Sequence, residues 1–498
     1  MIFSGLTFLF YFLPLTLLLY FSAPNLKLKN LVLLVSSMIF YAWGEPIYII
    51  LMVVSSLNDY LFSNLIQNYR DRHPRVEKSE SAPVGAHSPV RRSSAFRPRP
   101  DRLYFLLSVI INLALLGVFK YTDFLIGTLN SLTGLQIDPL GLPLPIGISF
   151  YTFQTMSYSI DVYLGRIRAQ KNFLTLATYV CLFPQLIAGP IVRYKTIEEE
   201  LTNRRSTLTD VADGMRRFII GLAKKVLIAN TMGVIVDRIF VPGGIPTHAP
   251  VLWLAAVAYT FQIYFDFSGY SDMAIGLGRV FGFHFLENFR YPYMSASMTD
   301  FWRRWHISLG TWFRDYVYIP LGGNRRHQIL NIAVVWFLTG MWHGAYLNYI
   351  LWGLFHGFFL TAEKLLNGRI KLPYILKRVL TMFLVVVGFT IFRLENMETL
   401  AEVLGNMFRF TSLTSRAFIL EYNNILYALP MLLVACIASV SWRELPYLRK
   451  RKNPPHSLLR YGGMFGSLFR DSLLLILFGL SVVSIVGSGF NPFIYFRF

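Results

Sequence analysis

Long apolar segments recur along the whole 498-residue chain and constrain its fold more than any other feature. A helix needs about 20 residues to cross the hydrocarbon core of a bilayer, so runs shorter than this must borrow flanking residues or be broken or re-entrant segments buried in protein. The pattern predicts an all-α polytopic membrane protein with roughly 11–12 transmembrane helices plus re-entrant segments. The thirteen runs are Leu6–Phe21, Leu31–Trp43, Ile47–Leu65, Leu103–Val118, Pro145–Leu164, Phe173–Ile191, Phe218–Ile239, Val251–Phe267, Ile332–Met341, Tyr346–Leu360, Val379–Phe392, Ile425–Val440 and Leu473–Val486.

The composition excludes several other classes of protein. Hydrophobic residues make up 54% of the chain and charged residues only 15%, whereas soluble domains carry about 25% charged residues. A soluble enzyme, a disordered protein and a disulfide-stapled secreted domain are therefore excluded. The two cysteines, Cys181 and Cys436, lie inside apolar runs without metal-ligand spacing, and the histidines are not spaced as a helix-based ligand set. We expect no metal and no bound cofactor.

The basic residues, which give a net charge of +20, lie between the apolar runs. This placement favours the positive-inside rule over nucleic-acid binding. Residues 70–102 and 443–470 are basic and predicted to be cytoplasmic, the first as a disordered loop. Residues 121–144 and 241–250 contain no Lys or Arg and are predicted to face outside. Alternating the spans makes residues 1–498 a single integral-membrane domain with an extracytoplasmic C-terminal motif at 491–498.

One run breaks this alternation. The segments on both sides of Phe173–Ile191 are basic, so the run should enter and leave the membrane on one side. Pro184 and the pair Gly189–Pro190 interrupt helical structure within it. We therefore predict a re-entrant hairpin here.

Polar residues at membrane depth are costly and usually functional, and they concentrate in Tyr264–Gly357. Asp266 and Asp272 lie at the end of one apolar run. Four glycines lie within or after this stretch, at Gly269, Gly276, Gly278 and Gly282. Glycines in such a stretch indicate a re-entrant segment or a close helix contact. A packing role and a substrate-gating role both remain open for them.

A second polar stretch combines arginines with an aromatic stripe. Trp302, Trp305, Leu309, Trp312 and Tyr316 follow helical spacing, and Arg303, Arg304 and Arg314 flank them. One interpretation is an amphipathic helix at the membrane interface. The alternative is a cytoplasmic-side site for an anionic, phosphorylated donor, because the arginine guanidinium matches phosphate geometry.

Three histidines lie at membrane depth. His343 follows an apolar run too short to cross the bilayer alone, and His306 lies in the arginine-rich stretch. A lone buried histidine is usually a packing residue, but two in such surroundings favour catalysis, since imidazole is the usual general base near neutral pH. We interpret His356, which lies in a regular apolar helix, as a packing residue.

These segments resemble the membrane-bound O-acyltransferases, and more narrowly the bacterial branch that acetylates envelope polysaccharides. The resemblance spans nearly the whole chain, and the longer, more polar loop at 70–102 is its main departure. The matching motifs are Phe40–Pro46, Pro145–Gln154, Pro184–Pro190, Tyr264–Tyr270, Arg304–Ser308, Trp342–Gly344 and Asn491–Phe498.

The resemblance implies a central tunnel through the membrane with His343 and His306 as catalytic residues near its waist. A cytoplasmic acyl thioester, acetyl-CoA, would enter one end, with Arg303, Arg304, Arg314 and Trp305 as candidate donor-binding residues. An extracytoplasmic partner of the SGNH-hydrolase type would receive the acetyl group and pass it to an envelope polysaccharide such as alginate. Asp266, Ser268, Asp272 and Gln185 are candidates to line the tunnel, and Tyr495 is a candidate acyl carrier. The implied location is the bacterial inner membrane, in contact with lipid and without a role for nucleic acid.

Other functions remain open at this stage. Within the family, peptidoglycan O-acetylation or acylation of another envelope polymer is an alternative, and D-alanylation of teichoic acid is favoured less because its carrier motif usually lies on a separate small protein. A polysaccharide or lipid transporter would also need many spans and intramembrane charges. A transporter predicts inverted repeats, and none is recognisable in the sequence.

Overall fold

The computed structural model describes residues 1–73, 100–187, 189–240, 248–366, 372–409, 415–441 and 464–487, and these consist of helices and connecting segments without a β-strand. The first helices are α1 (Leu13–Ser22), α2 (Leu26–Ala42), α3 (Ile49–Arg72), α4 (Pro100–Thr133), α5 (Ile148–Tyr163), α6 (Phe173–Cys181), α7 (Phe183–Leu186), α8 (Tyr194–Asn203), α9 (Leu208–Ala223) and α10 (Asn230–Ile239). They are followed by α11 (Ala249–Val280), α12 (Met298–Arg304), α13 (Ile307–Phe313), α14 (Gln328–His343), α15 (Leu347–Leu365), α16 (Tyr374–Arg393), α17 (Met397–Asn406), α18 (Ser415–Ala438) and α19 (Met464–Gly487).

Several helices are long and apolar enough to cross a membrane, which confirms the predicted all-α polytopic membrane fold. Within the described residues six helical stretches meet this criterion: Ile49–Arg72, Pro100–Thr133, Leu208–Ile239, Ala249–Val280, Tyr374–Arg393 and Leu468–Gly487. Shorter apolar helices occur as well, as the short runs in the sequence predict. Among them is α14, whose 16 residues carry one of the two candidate catalytic histidines at the end.

The centre of the fold is the contact between α9 and α11. Gly221 and Gly269 face each other so closely that a β-carbon on either would collide with the backbone of the other helix. Small residues at such a contact let two helix backbones approach and gain dispersion energy. A buried ion pair, with Lys225 Nζ 2.7 Å from Asp266 Oδ1, closes the same interface one turn away. The tight contact buries most of α11, and Phe267 of this helix packs against the His306 ring at a centroid distance of 4.7 Å.

A second buried polar group joins α3, α4 and α5. The Asp59 carboxylate accepts hydrogen bonds from Ser108 Oγ at 2.5 Å, Asn112 Nδ2 at 2.9 Å and Ser159 Oγ at 2.8 Å. Buried carboxylates are tolerated when donors satisfy them in this way. The cluster fixes the register of α4, which carries two residues of the site described below.

Three expectations about elements are tested by the fold. The Phe173–Ile191 run is broken, as Pro184 predicts, because α6 ends at Cys181 and α7 begins at Phe183. The stretch around Asp266 and Asp272 is not re-entrant but continuous within α11, so the close helix contact is the correct alternative. The aromatic stripe is not one helix, since it is interrupted at Trp305–His306 between α12 and α13.

Two predicted loops and the predicted C-terminal motif lie largely or wholly outside the described residues. Helix α3 continues to Arg72 and α4 begins at Pro100, so the ends of the predicted 70–102 loop are helical. Residues 464–470 of the predicted 443–470 loop likewise belong to α19. The rest of both loops, and the 491–498 motif with Tyr495, lie outside the described part of the chain.

Candidate active site

His343 is the last residue of α14 and is held in a cage of aromatic rings. Its imidazole meets the rings of Trp342, Trp352 and Phe392 edge-on, at centroid distances of 4.9, 4.9 and 5.1 Å. The chain then turns sharply at Gly344, where a β-carbon would overlap the ring of Tyr349. Only glycine fits at this position, which explains the glycine at the end of the Trp-His-Gly motif. The histidine side chain is thereby fixed at the very end of a helix.

His306 lies between α12 and α13 with a left-handed backbone conformation, φ 45° and ψ 53°. This conformation costs a non-glycine residue about 1–3 kcal/mol and is concentrated at functional sites. The side chain is buried, and its Nδ1 lies 3.2 Å from Oδ1 of Asn288. The helix is broken at His306, and its imidazole is buried in the protein interior beside Asn288.

The contacts of Asn288 determine the tautomer of His306. The backbone N–H of Ser308 points at Oδ1 of Asn288 at 3.2 Å, and an N–H only donates. The atom in that position is therefore the amide oxygen, and the Asn288 amide nitrogen correctly faces Ser271 Oγ at 3.1 Å. Since Oδ1 accepts, Nδ1 of neutral His306 carries the proton and Nε2 carries the free electron pair. His306 Nε2 is buried and has no hydrogen-bond partner among the described residues.

The indole of Trp342 joins the two histidines. Its ring lies 5.8 Å from the His306 ring and 4.9 Å from the His343 ring, centroid to centroid. Nδ1 of His343 is also buried, and no protein group in the described ranges pairs with it. Two buried imidazoles thus each carry a buried ring nitrogen without a hydrogen-bond partner among the described residues, and a single aromatic side chain lies between them. Such nitrogens could accept protons from a bound molecule, which makes this pair the candidate catalytic centre.

The end of α14 is held by two side chains of α4. Lys120 Nζ donates to the carbonyl of Trp342 and, at 3.0 Å, to Ser149 Oγ. Tyr121 Oη donates to the carbonyl of Met341 at 2.6 Å. The last carbonyls of a helix have no partner within it, and here α4 supplies the partners. The backbone on the N-terminal side of His343 is therefore anchored by two hydrogen bonds.

A cavity of about 600 Å³, here called the arginine cavity, reaches the site from one side. Ile307 and Ser308, the two residues after His306, form part of its wall. Its charged lining comprises Asp161, Arg166, Arg193, Lys195, Glu287, Arg314 and Asp315. The four basic groups outnumber the three acidic groups, which suits an anionic ligand.

Ion pairs hold two of the arginines in place along this wall. Asp315 is bound by Arg193 at 2.8 Å and by Arg314 at 2.6 Å. Burial alone would raise the pKa of the Asp315 carboxyl, but hydrogen bonds from Arg314 and Arg193 lower it below its ordinary value. Asp315 therefore stays ionised through the neutral range and keeps both guanidiniums oriented.

A second, separate cavity of about 590 Å³, here called the lysine cavity, also borders the site. Gly344, the residue after His343, lies in its wall together with Lys120 and Tyr346. Asp123 also lines this cavity, but its oxygens accept the backbone N–H groups of Leu140 and Gly141. Lys120 is thus the cationic group of the lining. The two cavities have no lining residue in common.

The structure brings together some of the sequence-predicted site residues and separates others. His306 and His343 share the Trp342 ring, and Arg314 lines the arginine cavity. Arg303 is exposed, Arg304 pairs with Asp300 at 3.0 Å, and Trp305 is buried among aromatic rings, so these three do not line that cavity.

Of the four candidate tunnel-lining residues, Asp266, Ser268 and Gln185 are buried and Asp272 is partly buried, and none of them lines either cavity. Asp266 pairs with Lys225, and Asp272 pairs with Lys224 at 2.6 Å and Arg217 at 2.8 Å, while Gln185 Nε2 donates to the carbonyl of Tyr179. Ser268 is buried at the α11 interface. Among the described residues no cluster of three or more metal-ligating side chains occurs.

Comparison with known proteins decides the family. Residues 148–394 match the model of the membrane-bound O-acyltransferase family. The chain is 40% identical to the probable alginate O-acetylase AlgI of Pseudomonas putida and 36% identical to that of Pseudomonas aeruginosa, each over the full length of both chains.

The chain belongs to the membrane-bound O-acyltransferase family. It is therefore an O-acyltransferase and a multi-pass membrane protein, as the sequence motifs predict. A further relative in the family, the peptidoglycan O-acetyltransferase of Helicobacter pylori, is 33% identical over 82% of this chain and 80% of its own length.

Three residues of the candidate site do not stand out in the sequence. Lys120 is a charged residue just beyond the Leu103–Val118 run, and its position next to an apolar segment is the one sequence signal that points to it. Asn288 lies in an irregular segment, where no periodicity points to it. Arg193, at the start of α8, is one of many basic residues between apolar runs. Its position in the arginine cavity follows only from the tertiary structure.

Proposed function

We propose that this protein takes an acetyl group from cytoplasmic acetyl-CoA and delivers it to an extracytoplasmic acceptor for O-acetylation of an envelope polysaccharide of the alginate type. One observation carries the proposal: two separate cavities border a pair of buried histidines, one at the residues after His306 and the other at the residue after His343. The full-length identity to proteins named probable alginate O-acetylases supports the choice of acyl group and polymer.

The arginine cavity is the proposed donor site. Its wall is basic, and the positive-inside rule assigns the segments that form it, including Arg166 and Arg193, to the cytoplasm, where acetyl-CoA is made. Arg193, Lys195 and Arg314 would bind the phosphates of coenzyme A, and the thioester would extend past Ser308 towards His306. This set replaces Arg303, Arg304 and Trp305, which do not line the cavity.

The lysine cavity is the proposed acceptor entrance. A hydroxyl group that enters it would lie beside Gly344 and give its proton to His343 Nδ1 as its oxygen attacks the thioester carbonyl carbon. A carbon–oxygen bond forms, the carbon–sulfur bond breaks, and the imidazolium returns the proton to the leaving thiolate of coenzyme A. His306, whose Nε2 carries the free electron pair, provides a second acceptor for that proton on the donor side.

The acceptor side would involve a partner protein. We propose a partner of the SGNH-hydrolase type that receives the acetyl group at the outer face of the bacterial inner membrane and transfers it to the polymer. Tyr495, the candidate intermediate carrier, lies outside the described residues and stays a proposal from the sequence motif alone.

The test is the O-acetyl content of isolated envelope polysaccharides in cells that carry the wild-type protein, no protein, or a variant. We expect His343→Ala to abolish acetylation, and His306→Ala to reduce it at least tenfold, while both proteins still insert in the membrane. His356→Phe is the matched control, because His356 is buried and also contacts Trp352, yet its neighbours in the chain line neither cavity, unlike those of His306 and His343.

The outcomes separate the alternatives. Loss of acetyl groups from one polyuronate with His343→Ala, but not with His356→Phe, supports the proposal. Loss confined to peptidoglycan would move the acceptor to that polymer, which the relative in Helicobacter pylori makes the second candidate. Normal acetylation of every polymer with His343→Ala would overturn the catalytic role of this histidine.

A further inference from the structure

Lys120 is a buried lysine with an unusual position. It lies within the apolar helix α4, is 8% exposed, and is the cation of the lysine cavity. A charged side chain at this depth is costly, so its retention calls for a reason beyond packing. Its neighbour Tyr121 shows that an uncharged phenol is sufficient to cap a carbonyl at this end of α14.

The hydrogen bonds of Lys120 leave one donor unused. An ammonium group has three N–H donors, and two of them go to the carbonyl of Trp342 and to Ser149 Oγ. The side chain lines the lysine cavity, so the third N–H is available to a molecule inside it. Nζ also lies 5.9 Å from the centroid of the Trp342 ring, the same ring that touches both histidines.

We propose that Lys120 is a further catalytic residue, which donates its third N–H to the carbonyl oxygen of the acyl group while the acceptor hydroxyl attacks. The inference rests on the proposed function. In that step the acceptor oxygen bonds to the carbonyl carbon, and the electron pair of the C=O bond moves onto the carbonyl oxygen. The negative charge then returns to re-form C=O as the carbon–sulfur bond breaks.

The surroundings of Lys120 suit this role. A donor fixed before the reaction, in a site without bulk water, stabilises a developing oxyanion far more than water does. The two acceptors of Lys120 belong to the backbone beside His343 and to the start of α5, so Nζ is held by two rigid elements. The base and the oxyanion donor are thus anchored to the same peptide group, the one between Trp342 and His343.

A purely structural role makes a different prediction, because Lys120 also caps α14. Tyr121 provides the matched control: its hydroxyl caps the preceding carbonyl of α14 but does not line the lysine cavity. If capping were the whole function, Lys120→Met and Tyr121→Phe would have similar effects. If Lys120 stabilises the oxyanion, only Lys120→Met should lower the rate of the chemical step strongly.

The experiment measures release of the coenzyme A thiol from acetyl-CoA by the purified protein in proteoliposomes, with glycerol as the hydroxyl probe. We expect Lys120→Met to lower kcat about 100-fold or more, the loss typical of removing one oxyanion donor, with KM for acetyl-CoA within about twofold of the wild type. Tyr121→Phe should stay within about threefold of the wild type in both constants. Treating Lys120→Cys with bromoethylamine, which rebuilds an amine of nearly the same length, should restore kcat.

Equal losses in Lys120→Met and Tyr121→Phe would overturn the proposal and leave the acetyl-CoA reaction intact. A wild-type protein that releases no thiol would instead overturn the proposed donor, and the role of Lys120 with it. If Lys120→Met fails to insert, Lys120→Arg decides the question, since it keeps a cation and several donors. We expect it to retain at least a tenth of kcat, and a loss as large as that of His343→Ala would contradict the proposal.

Discussion

The Asn288 side chain fixes His306 through one oxygen atom that accepts three hydrogen bonds: from Nδ1 of the imidazole, from the backbone of Ser308 and from the hydroxyl of Ser308. We expect Asn288→Ala to reduce kcat at least tenfold with little change in KM for acetyl-CoA, because the imidazole then loses the partner that keeps its proton on Nδ1. The kinetics of thiol release measure this.

Ser271→Ala is the control for this prediction. It removes the partner of the Asn288 amide nitrogen but leaves the backbone N–H of Ser308 to orient the amide oxygen. We expect nearly normal kcat from Ser271→Ala. A kcat for Asn288→Ala equal to that of Ser271→Ala would contradict the assigned tautomer role.

At this scale the sequence points to the two candidate catalytic histidines more readily than to the side chains that contact them. His306 and His343 stand out because imidazoles are rare at membrane depth, and their motifs match a family. Asn288 and Lys120 contact residues 18 and 222 positions away, His306 and Trp342. No local pattern encodes such distant contacts, so tertiary structure is needed to find them.

The contact between α9 and α11 governs the packing around the site at the level of elements. We expect Gly269→Ala to lower the stability of the purified protein by about 1–3 kcal/mol, because the new β-carbon meets the backbone of α9, which cannot move aside as a flexible side chain would. The measurement is the midpoint of thermal unfolding in detergent.

Gly479→Ala is the matched control for helix packing. Gly479 lies in α19, and an added β-carbon there meets nothing within 4 Å. Alanine favours a helix over glycine, so the midpoint should stay the same or rise slightly. Equal decreases in the two variants would show that helix propensity, and not close packing, explains the effect.

The sequence predicts most elements but fewer of their interruptions. Pro184 correctly marks the break between α6 and α7, since proline lacks the N–H that a helix interior needs. The break at His306 has no such marker, because the helical spacing of Trp302, Trp305 and Leu309 continues through it. There the tertiary bonds to Asn288 override the local periodicity.

We predict that the two cavities open to opposite sides of the membrane. Ser131 lines the lysine cavity and Thr196 the arginine cavity, so cysteines at these positions should be labelled from different sides of the membrane. In intact spheroplasts we expect a membrane-impermeant maleimide to label Ser131→Cys, and to label Thr196→Cys only after permeabilisation. The reverse pattern would invert the proposed donor and acceptor sides. The wild-type protein, with Cys181 buried and Cys436 exposed, measures the background.

The ring cluster between the cavities has a consequence for the energetics of the cell. Phe150, Phe267 and Trp342 pack around His306, and within the described residues neither cavity shares a wall with the other. In the proposed function the acyl group crosses only one indole's width, and we expect the packed rings to keep water from forming a continuous column between the cavities. A membrane that stores a proton gradient should then hold this enzyme without leaking protons, even though the proposed chemistry depends on mobile protons.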